Sequence, residues 1–480
     1  MKKTTVGKRP SSLYVFLAVA VAVALVVQWR IVSVFHTKYE ITGQLERETT
    51  IYSPELFKTS NQNKHKEDRS PQYSFETIPS RTWKIYEHPF PCYPPGEDER
   101  NALMATTPAH EGILFQRPEK VGSTTFNNVL LRLVHNRAAE KLKTGKVNAT
   151  LWKTPVRCKH RAMHGMSVGL DYKNRDKKKS FLFSLVRDPT KRIISEYFHF
   201  KVTFRPEEPT DENFVKHVLS PRRSNKLLRD LTFVEDLGIR MSTEFEHFFK
   251  AYKQQQRRKQ GSSRIKTRQL DKALLRNDTI VEPIDYTKVV QDILDDYDFI
   301  AVTERMEESL VAMKLLLGLT VEEIVYAKIS RSAGSFSNGP AGRPCMYLVP
   351  SFLSPSMKDF FYTPHKNDLW IENSKGDALL HKAASLSLDR TINEVFGRQT
   401  FDRELAEFKN ALAYTQAICS SEPELVLGMC DSGGNSVAHD PNRTTTCYIW
   451  GEGCDKECIN NRVPSPIPEQ VLNGTKKFGE

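Results

Sequence analysis

The chain has 480 residues, 39% hydrophobic and 10% aromatic, which supplies a large folded core and excludes wholesale disorder. A net charge of +12 points to an anionic partner, such as a nucleotide, an acidic glycan or nucleic acid.

Part of that charge belongs to the N-terminus. Lys2, Lys3, Lys8 and Arg9 precede the uncharged, almost wholly apolar run Leu13 to Val27, and a second apolar patch spans Ile31 to Phe35. This order predicts a cytoplasmic tail over 1–12, a single transmembrane signal anchor over 13–35, and a lumenal remainder. A cleaved signal peptide is the alternative. All eight cysteines (Cys92, Cys158, Cys345, Cys419, Cys430, Cys447, Cys454 and Cys458) follow the anchor. So do the sequons at Asn148, Asn277, Asn442 and Asn473. Together they predict an oxidising compartment with disulfides. Cys447, Cys454 and Cys458 are expected to bridge locally or to Cys430. Residues 36–108 read as a stem, being polar over 49–80 and proline-rich over 89–95.

The globular part is expected over 109–416. Ile113 to Gln116 reads as a buried strand. From Ser123 the period changes, and Phe126, Val129, Leu130, Leu133 and Val134 fall on one helical face. The turn between them holds Lys120, Val121, Gly122 and the hydroxyls of Ser123, Thr124 and Thr125. Free N–H groups at a helix start beside a lysine suit a phosphate. The plainer reading makes Ser123 an N-cap and nothing more. His160 and His164 come next, four residues apart, and by themselves read as ordinary surface or core histidines.

The pattern then recurs. Phe181 to Val186 is a strand, Arg187-Asp188-Pro189 a turn, and Thr190 to Phe200 a helix with Ile193, Ile194, Tyr197 and Phe198 inward. Arg187 sits where open α/β sheets bind ligands, and a guanidinium there clamps phosphate bidentately. Its plainer role is pairing with Asp188. Residues 205–290 read as helical, with a basic stretch from Lys253 to Arg268. A third unit follows, with a strand from Phe299 to Thr303 and a helix from Glu307 to Leu317. Val321 to Ile329 reads as a short helix, 334–343 as a glycine-rich loop, Asp377 to Gln416 as one long helical pattern, and 417–480 as a Cys-rich tail. Three strand–turn–helix units predict an α/β fold, a P-loop-like three-layer domain with a mainly parallel central sheet.

The motifs carry a resemblance. Lys120-Val-Gly-Ser-Thr-Thr125 resembles the 5′-phosphosulfate loop of Golgi membrane-bound carbohydrate sulfotransferases. Val186-Arg-Asp-Pro-Thr-Lys-Arg-Ile-Ile-Ser195 is similar to their 3′-phosphate motif, and Phe299 to Val311 resembles a block of the galactose 3-O- and heparan-uronyl 2-O-sulfotransferase branch. The resemblance implies the donor 3′-phosphoadenosine 5′-phosphosulfate (PAPS), no metal, and a hydroxyl of a glycan acceptor on a glycoprotein, glycolipid or glycosaminoglycan. It also implies a type II Golgi membrane protein with a lumenal catalytic domain, no nucleic-acid partner, and a homodimer as one possible assembly. Lys120 would stabilise the leaving oxygen, Val121 to Thr125 would hold the 5′-phosphate, and Arg187 with Ser195 the 3′-phosphate. The base would be His164 first and His160 second. Glu119, between Pro118 and Lys120, departs from the family loop.

Two other classes fit the organisation. A lumenal glycosyltransferase would share the anchor and stem, and Asp296-Tyr-Asp298 matches a metal-binding Asp-x-Asp pattern. An inactive glycan-binding ectodomain would keep the fold but has no need of Lys120, Arg187 and Ser195.

Overall fold

Four short strands build the central sheet: β1 Gly112–Gln116, β2 His160–Met163, β3 Ser180–Val186 and β4 Phe299–Val302. The computed structural model describes residues 71, 73–88, 112–143, 160–163, 170, 172–203, 207–259, 283–327, 334–337, 347–419 and 456–475, all in one unit from Ser70 to Glu480. The expected tail 1–12, anchor 13–35 and His164 lie outside the described residues. No helix among the described residues is long and apolar enough to cross a membrane.

All four strands are parallel, in the order β2-β1-β3-β4. The chain leaves β1 toward β2, then returns to pair β3 on the other side of β1. That reversal is a topological switch, and the crevice beyond the carboxyl ends of β1 and β3 is where such sheets take ligands. The expected α/β class with a parallel sheet is therefore observed. Of the strands, β2 (His-Arg-Ala-Met) was not predicted, because its four residues carry no apolar alternation.

Every residue of β1 and β3 is buried, which accounts for their nearly continuous apolar sequences. On one face Phe115 stacks on Phe183 with ring centroids 4.5 Å apart. Phe126 of α1 (Ser123–Lys143) covers that pair, 6.0 Å from Phe183. After β3 come α2 (Pro189–Tyr197), a π-helical turn over Phe198–Thr203, α3 (Asp211–Val218), α4 (Lys226–Leu231), α5 (Leu237–Lys259) and α6 (Tyr286–Asp296). Gln116, pointing to the opposite face from Phe115, donates through Nε2 to the Asp230 carbonyl of α4 at 3.0 Å.

After β4 follow α7 (Met306–Leu317), α8 (Val321–Ile324), an antiparallel hairpin of β5 (Gly334–Ser337) and β6 (Tyr347–Pro350), and α9 (Pro355–Tyr362). The long pattern expected over 377–416 is two helices, α10 (Asp368–Thr391) and α11 (Arg398–Cys419). Gly397 separates them at φ 78°, a left-handed conformation that interrupts a helix and is cheap only for glycine. α10 lies along β3, β4, α4 and α6. It is the spine of the unit.

Two segments expected to be appendages are core. Within the stem predicted over 36–108, Trp83 is fully buried, its ring meets Phe299 edge-on, and its backbone N–H donates to Thr391 Oγ1 at 2.8 Å. In the tail predicted over 417–480, α12 (Lys456–Arg462) is tied to α11 by a Cys419–Cys458 disulfide, and Ile459, Val463, Ile467 and Val471 are buried. Cys458 thus bridges back to the helix end rather than to a neighbouring tail cysteine. The bond and these buried side chains make the described residues 456–475 part of the folded unit.

α10 also shows where packing forbids a side chain. A Cβ on Gly376 would lie 2.6 Å from Tyr286 Cδ1 and 2.8 Å from Leu228 Cδ2. Gly376→Ala should therefore cost about 3 kcal/mol as overpacking. Gly318→Ala, at φ +62° with nothing within 4 Å, should cost only about 1 kcal/mol as backbone strain. Thermal denaturation of the two variants checks the order; equal losses would contradict it.

Candidate active site

The loop after β1 is shaped by its backbone. Lys120 and Gly122 are left-handed, at φ 65° and 76°, while Val121 between them is not. Alternation of this kind turns successive N–H groups inward and forms a concavity for an anion. Gly122 has a second constraint: a Cβ there would sit 3.1 Å from Thr303 Cγ2 and 3.2 Å from Met306 Cε. Val121 is fully buried in the core, so of the predicted phosphate-binding residues it contributes backbone alone.

The loop after β3 comes to meet it. Arg187 donates through Nη1 to the Lys120 carbonyl at 3.0 Å. Thr303, just past β4, places its hydroxyl 2.5 Å from the Val121 carbonyl and 2.8 Å from the Val186 carbonyl. Three strand ends are thereby pinned together, and the Lys120 and Arg187 motifs become one site. Asp188 caps α2 by accepting from Lys191 N at 2.9 Å, and Pro189 occupies the first turn. Ser195 lies farther along that helix, partly exposed. The plainer reading of Arg187 as a partner of Asp188 is not what forms, since Asp188 is spent on the cap.

Arg117 was not anticipated. It is buried and donates to Ser123 Oγ through Nε and to Thr124 Oγ1 through Nη2, both at 3.2 Å. It orients the hydroxyls predicted to face a phosphate. A cation directly after a buried strand was the available signal.

The electrostatics follow from crowding cations in a partly dry crevice. Burial first, then the charge of Arg187, push the Lys120 ammonium down to about 8, against the attraction of Glu119 and Glu196. Burial also brings Arg117 down to about 10 and lowers Arg187. Glu119, the residue that departs from the family loop, turns to Lys226 at 3.9 Å, and Lys226 in turn holds Asp230 at 2.7 Å. Its carboxylate is thus engaged outside the loop's concavity.

Beneath the site lies a buried ionic network. Glu196, fully buried, receives Arg192 Nη1 at 2.5 Å, pairs with Arg223, and lies 3.6 Å from His217. Burial would raise the Glu196 carboxyl, but Arg192, His217 and Arg223 together hold it well below the usual range. Arg192 also reaches Asp377 of α10 at 3.9 Å.

The predicted bases are placed only in part. His160 opens β2 opposite Ile113, at the amino end of the parallel sheet. Met163 ends β2 level with Gln116, at the carboxyl end, and His164 follows it in sequence. Three residues of strand put His160 about 10 Å from that edge. A further histidine, His199 in the π-helical turn, is one helical turn beyond Ser195. Burial and then the Lys120 charge lower it to about 4, so it is neutral at physiological pH.

Asp298 of the Asp-x-Asp pattern accepts from Leu182 N at 2.7 Å and from Arg175 Nη2 at 3.1 Å. It precedes β4, at the end of the sheet opposite the crevice. Among the described residues, no group of His, Cys, Asp or Glu is placed to hold a metal ion.

Comparison with known proteins identifies a family. Residues 104–343, half of the chain, match the model described as "Sulfotransferase family". No curated protein and no solved structure matches. The matched span contains β1 to β4, the Lys120 loop, the Arg187 turn and Thr303. The chain belongs to the sulfotransferase family.

Proposed function

We propose that the chain transfers a sulfuryl group from PAPS to a glycan hydroxyl of the galactose 3-O or uronic acid 2-O type. The observation that carries this reading is the Arg187–Lys120 hydrogen bond at the β1/β3 switch, which makes two phosphate-binding turns one crevice. A donor with separate 5′ and 3′ phosphates needs two such turns. The N–H groups and hydroxyls of Gly122 to Thr125, with Arg117 behind them, suit the 5′-phosphate. Arg187 and Ser195 suit the 3′-phosphate.

The reaction is an in-line displacement at sulfur. The acceptor oxygen forms the new S–O bond as the bond to the 5′-phosphate breaks, and the hydroxyl proton passes to a base. Charge grows on the leaving phosphate oxygen, where the Lys120 ammonium stabilises it. For the base, the position of β2 favours His164 over His160, since only the carboxyl edge borders the crevice. His199 is the rival from the other side of Lys120. The acceptor meets residues of the variable segments such as 334–356; β5 and β6 lie against the π-helical turn that bears His199.

A lumenal, Golgi-resident domain behind an anchor over 13–35 is part of the same proposal, supported by the basic flank, the cysteines and the Cys419–Cys458 bond. Expression in cells followed by endoglycosidase treatment checks the topology. A mobility shift that disappears when the sequons are removed is expected; an unglycosylated chain would place the domain on the other side of the membrane.

Activity is tested by incubating the purified chain with labelled PAPS and a glycan panel. Label should enter galactose- or uronate-containing acceptors, and adenosine 3′,5′-bisphosphate should raise the melting temperature. Neither occurring would overturn the donor. Lys120→Ala should reduce kcat on the order of a hundredfold or more, whereas Arg187→Ala should chiefly raise the donor KM. His164→Ala should abolish most turnover; if it does not, His199→Ala should.

The lowered Lys120 gives a pH dependence with a definite sign. In the free protein Lys120 is charged below about 8 and neutral above it. Bound phosphates favour the charged form, so affinity is full below that pH and falls above it, by up to roughly tenfold per unit. Calorimetry with adenosine 3′,5′-bisphosphate between pH 6.5 and 9.5 should show the loss, and Lys120→Arg should flatten it. A flat wild-type profile would remove Lys120 from the phosphate site.

A further inference from the structure

Behind the Arg187 turn lies a carboxylate–histidine pair that the proposed mechanism does not use. Glu304, in the turn after β4, accepts from Asp188 N at 3.2 Å through Oε1. Its other oxygen, Oε2, is 3.0 Å from His381 Nε2 on α10. Both side chains are only about a fifth exposed, at 23% and 20%. Burial would raise the Glu304 carboxyl, yet hydrogen bonding and charge from His381 and the bond from Asp188 N hold it low. It is an anion. Among the charged groups acting on Arg187, Glu304 is the strongest attraction and Asp188 the next.

An anion there poses a problem for a phosphate site. A carboxylate free to rotate would pair with the Arg187 guanidinium and neutralise the group meant for the ligand. His381 prevents this by holding the second carboxylate oxygen. Its position on α10 is not isolated. Trp370 Nε1 donates to Thr190 Oγ1 at 3.0 Å, Asp377 lies 3.9 Å from Arg192, and His381 reaches Glu304. Residues 370, 377 and 381 recur at helical spacing, so one stripe of α10 braces the Arg187 turn and the first turn of α2.

Resting on the donor reading above, we infer that Glu304 and His381 are positioning residues: Glu304 fixes the Arg187-Asp188 turn, and His381 keeps that carboxylate off Arg187 so that the guanidinium stays available to the 3′-phosphate. The pair acts through Arg187 and touches no reacting atom. Its effect is confined to one phosphate, which separates it from a general loss of structure.

The test titrates the purified full-length chain with adenosine 3′,5′-bisphosphate and adenosine 5′-monophosphate. The wild type should prefer the bisphosphate. His381→Ala should weaken the bisphosphate roughly tenfold while changing the monophosphate by about twofold or less. His381→Gln, which can still donate to Glu304, should stay near wild type. Adding Glu304→Gln to His381→Ala removes the competing charge and should recover most of the lost selectivity. An unchanged ratio in His381→Ala, a parallel loss of both nucleotides, or no recovery in the double variant would overturn the inference while leaving the donor reading standing. A wild type that binds neither nucleotide would overturn the donor reading itself, and the inference with it.

Discussion

The structure depends on holding Lys120 and Arg187 side by side, joined through the Lys120 carbonyl. Burial first, and then repulsion from the Arg187 charge, depress the lysine to about 8. A shift of that size corresponds to about 3 kcal/mol of disfavoured charge. Glu119 and Glu196 offset part of this at Lys120, and Glu304 and Asp188 do so at Arg187, but the fold does not rely on counterions alone. It uses backbone carbonyls: Arg187 is bound to the Lys120 carbonyl, and Thr303 ties the Val121 and Val186 carbonyls together. The cations are fixed in place while their charge is only partly compensated. An anion placed in that crevice would meet both cations and lower the cost of keeping them charged.

The carboxylates nearby are arranged to respect that constraint. Glu119 is drawn to Lys226, Asp188 is spent on the α2 cap, Glu196 is saturated by Arg192 and Arg223, and Glu304 is held by Asp188 N and His381. Each has a partner outside the crevice. Such a buried network adds little net stability, because desolvation offsets most of the Coulomb gain. Its use is geometric, since removing one member would leave another free to turn toward the cations.

How much of this was legible in the sequence differs by the range of the interaction involved. The three strand–turn–helix units were readable because period and turn chemistry are local: Ile113 to Gln116, Phe181 to Val186 and Phe299 to Val302 all form strands. The Lys120 loop and the Arg187 turn were readable for the same reason. Their meeting was not, because it depends on strand order. β2 escaped notice since His-Arg-Ala-Met has no pattern of its own and becomes a strand by pairing with β1. Trp83 was hidden inside a polar, proline-flanked stretch, and its burial is decided by Phe299 and Thr391, far along the chain. Cys458 likewise pairs with Cys419 and not with the cysteines beside it, because α12 docks on α11.

Glu119 shows the same division at the scale of one residue. In sequence it is a carboxylate inserted beside the lysine of an anion-binding loop, and it argues against that loop. In the fold it faces Lys226, the first residue of α4, while Lys120 turns left-handed away from the regular path of the chain. The strained backbone at Lys120 is what puts adjacent side chains of opposite charge into different surroundings. Strain of that kind, on the order of 1–2 kcal/mol, persists only when surrounding contacts over-determine it, and Arg187 and Thr303 supply those contacts on both sides. Glu119 and Lys120 are therefore separated by the same turn that builds the site.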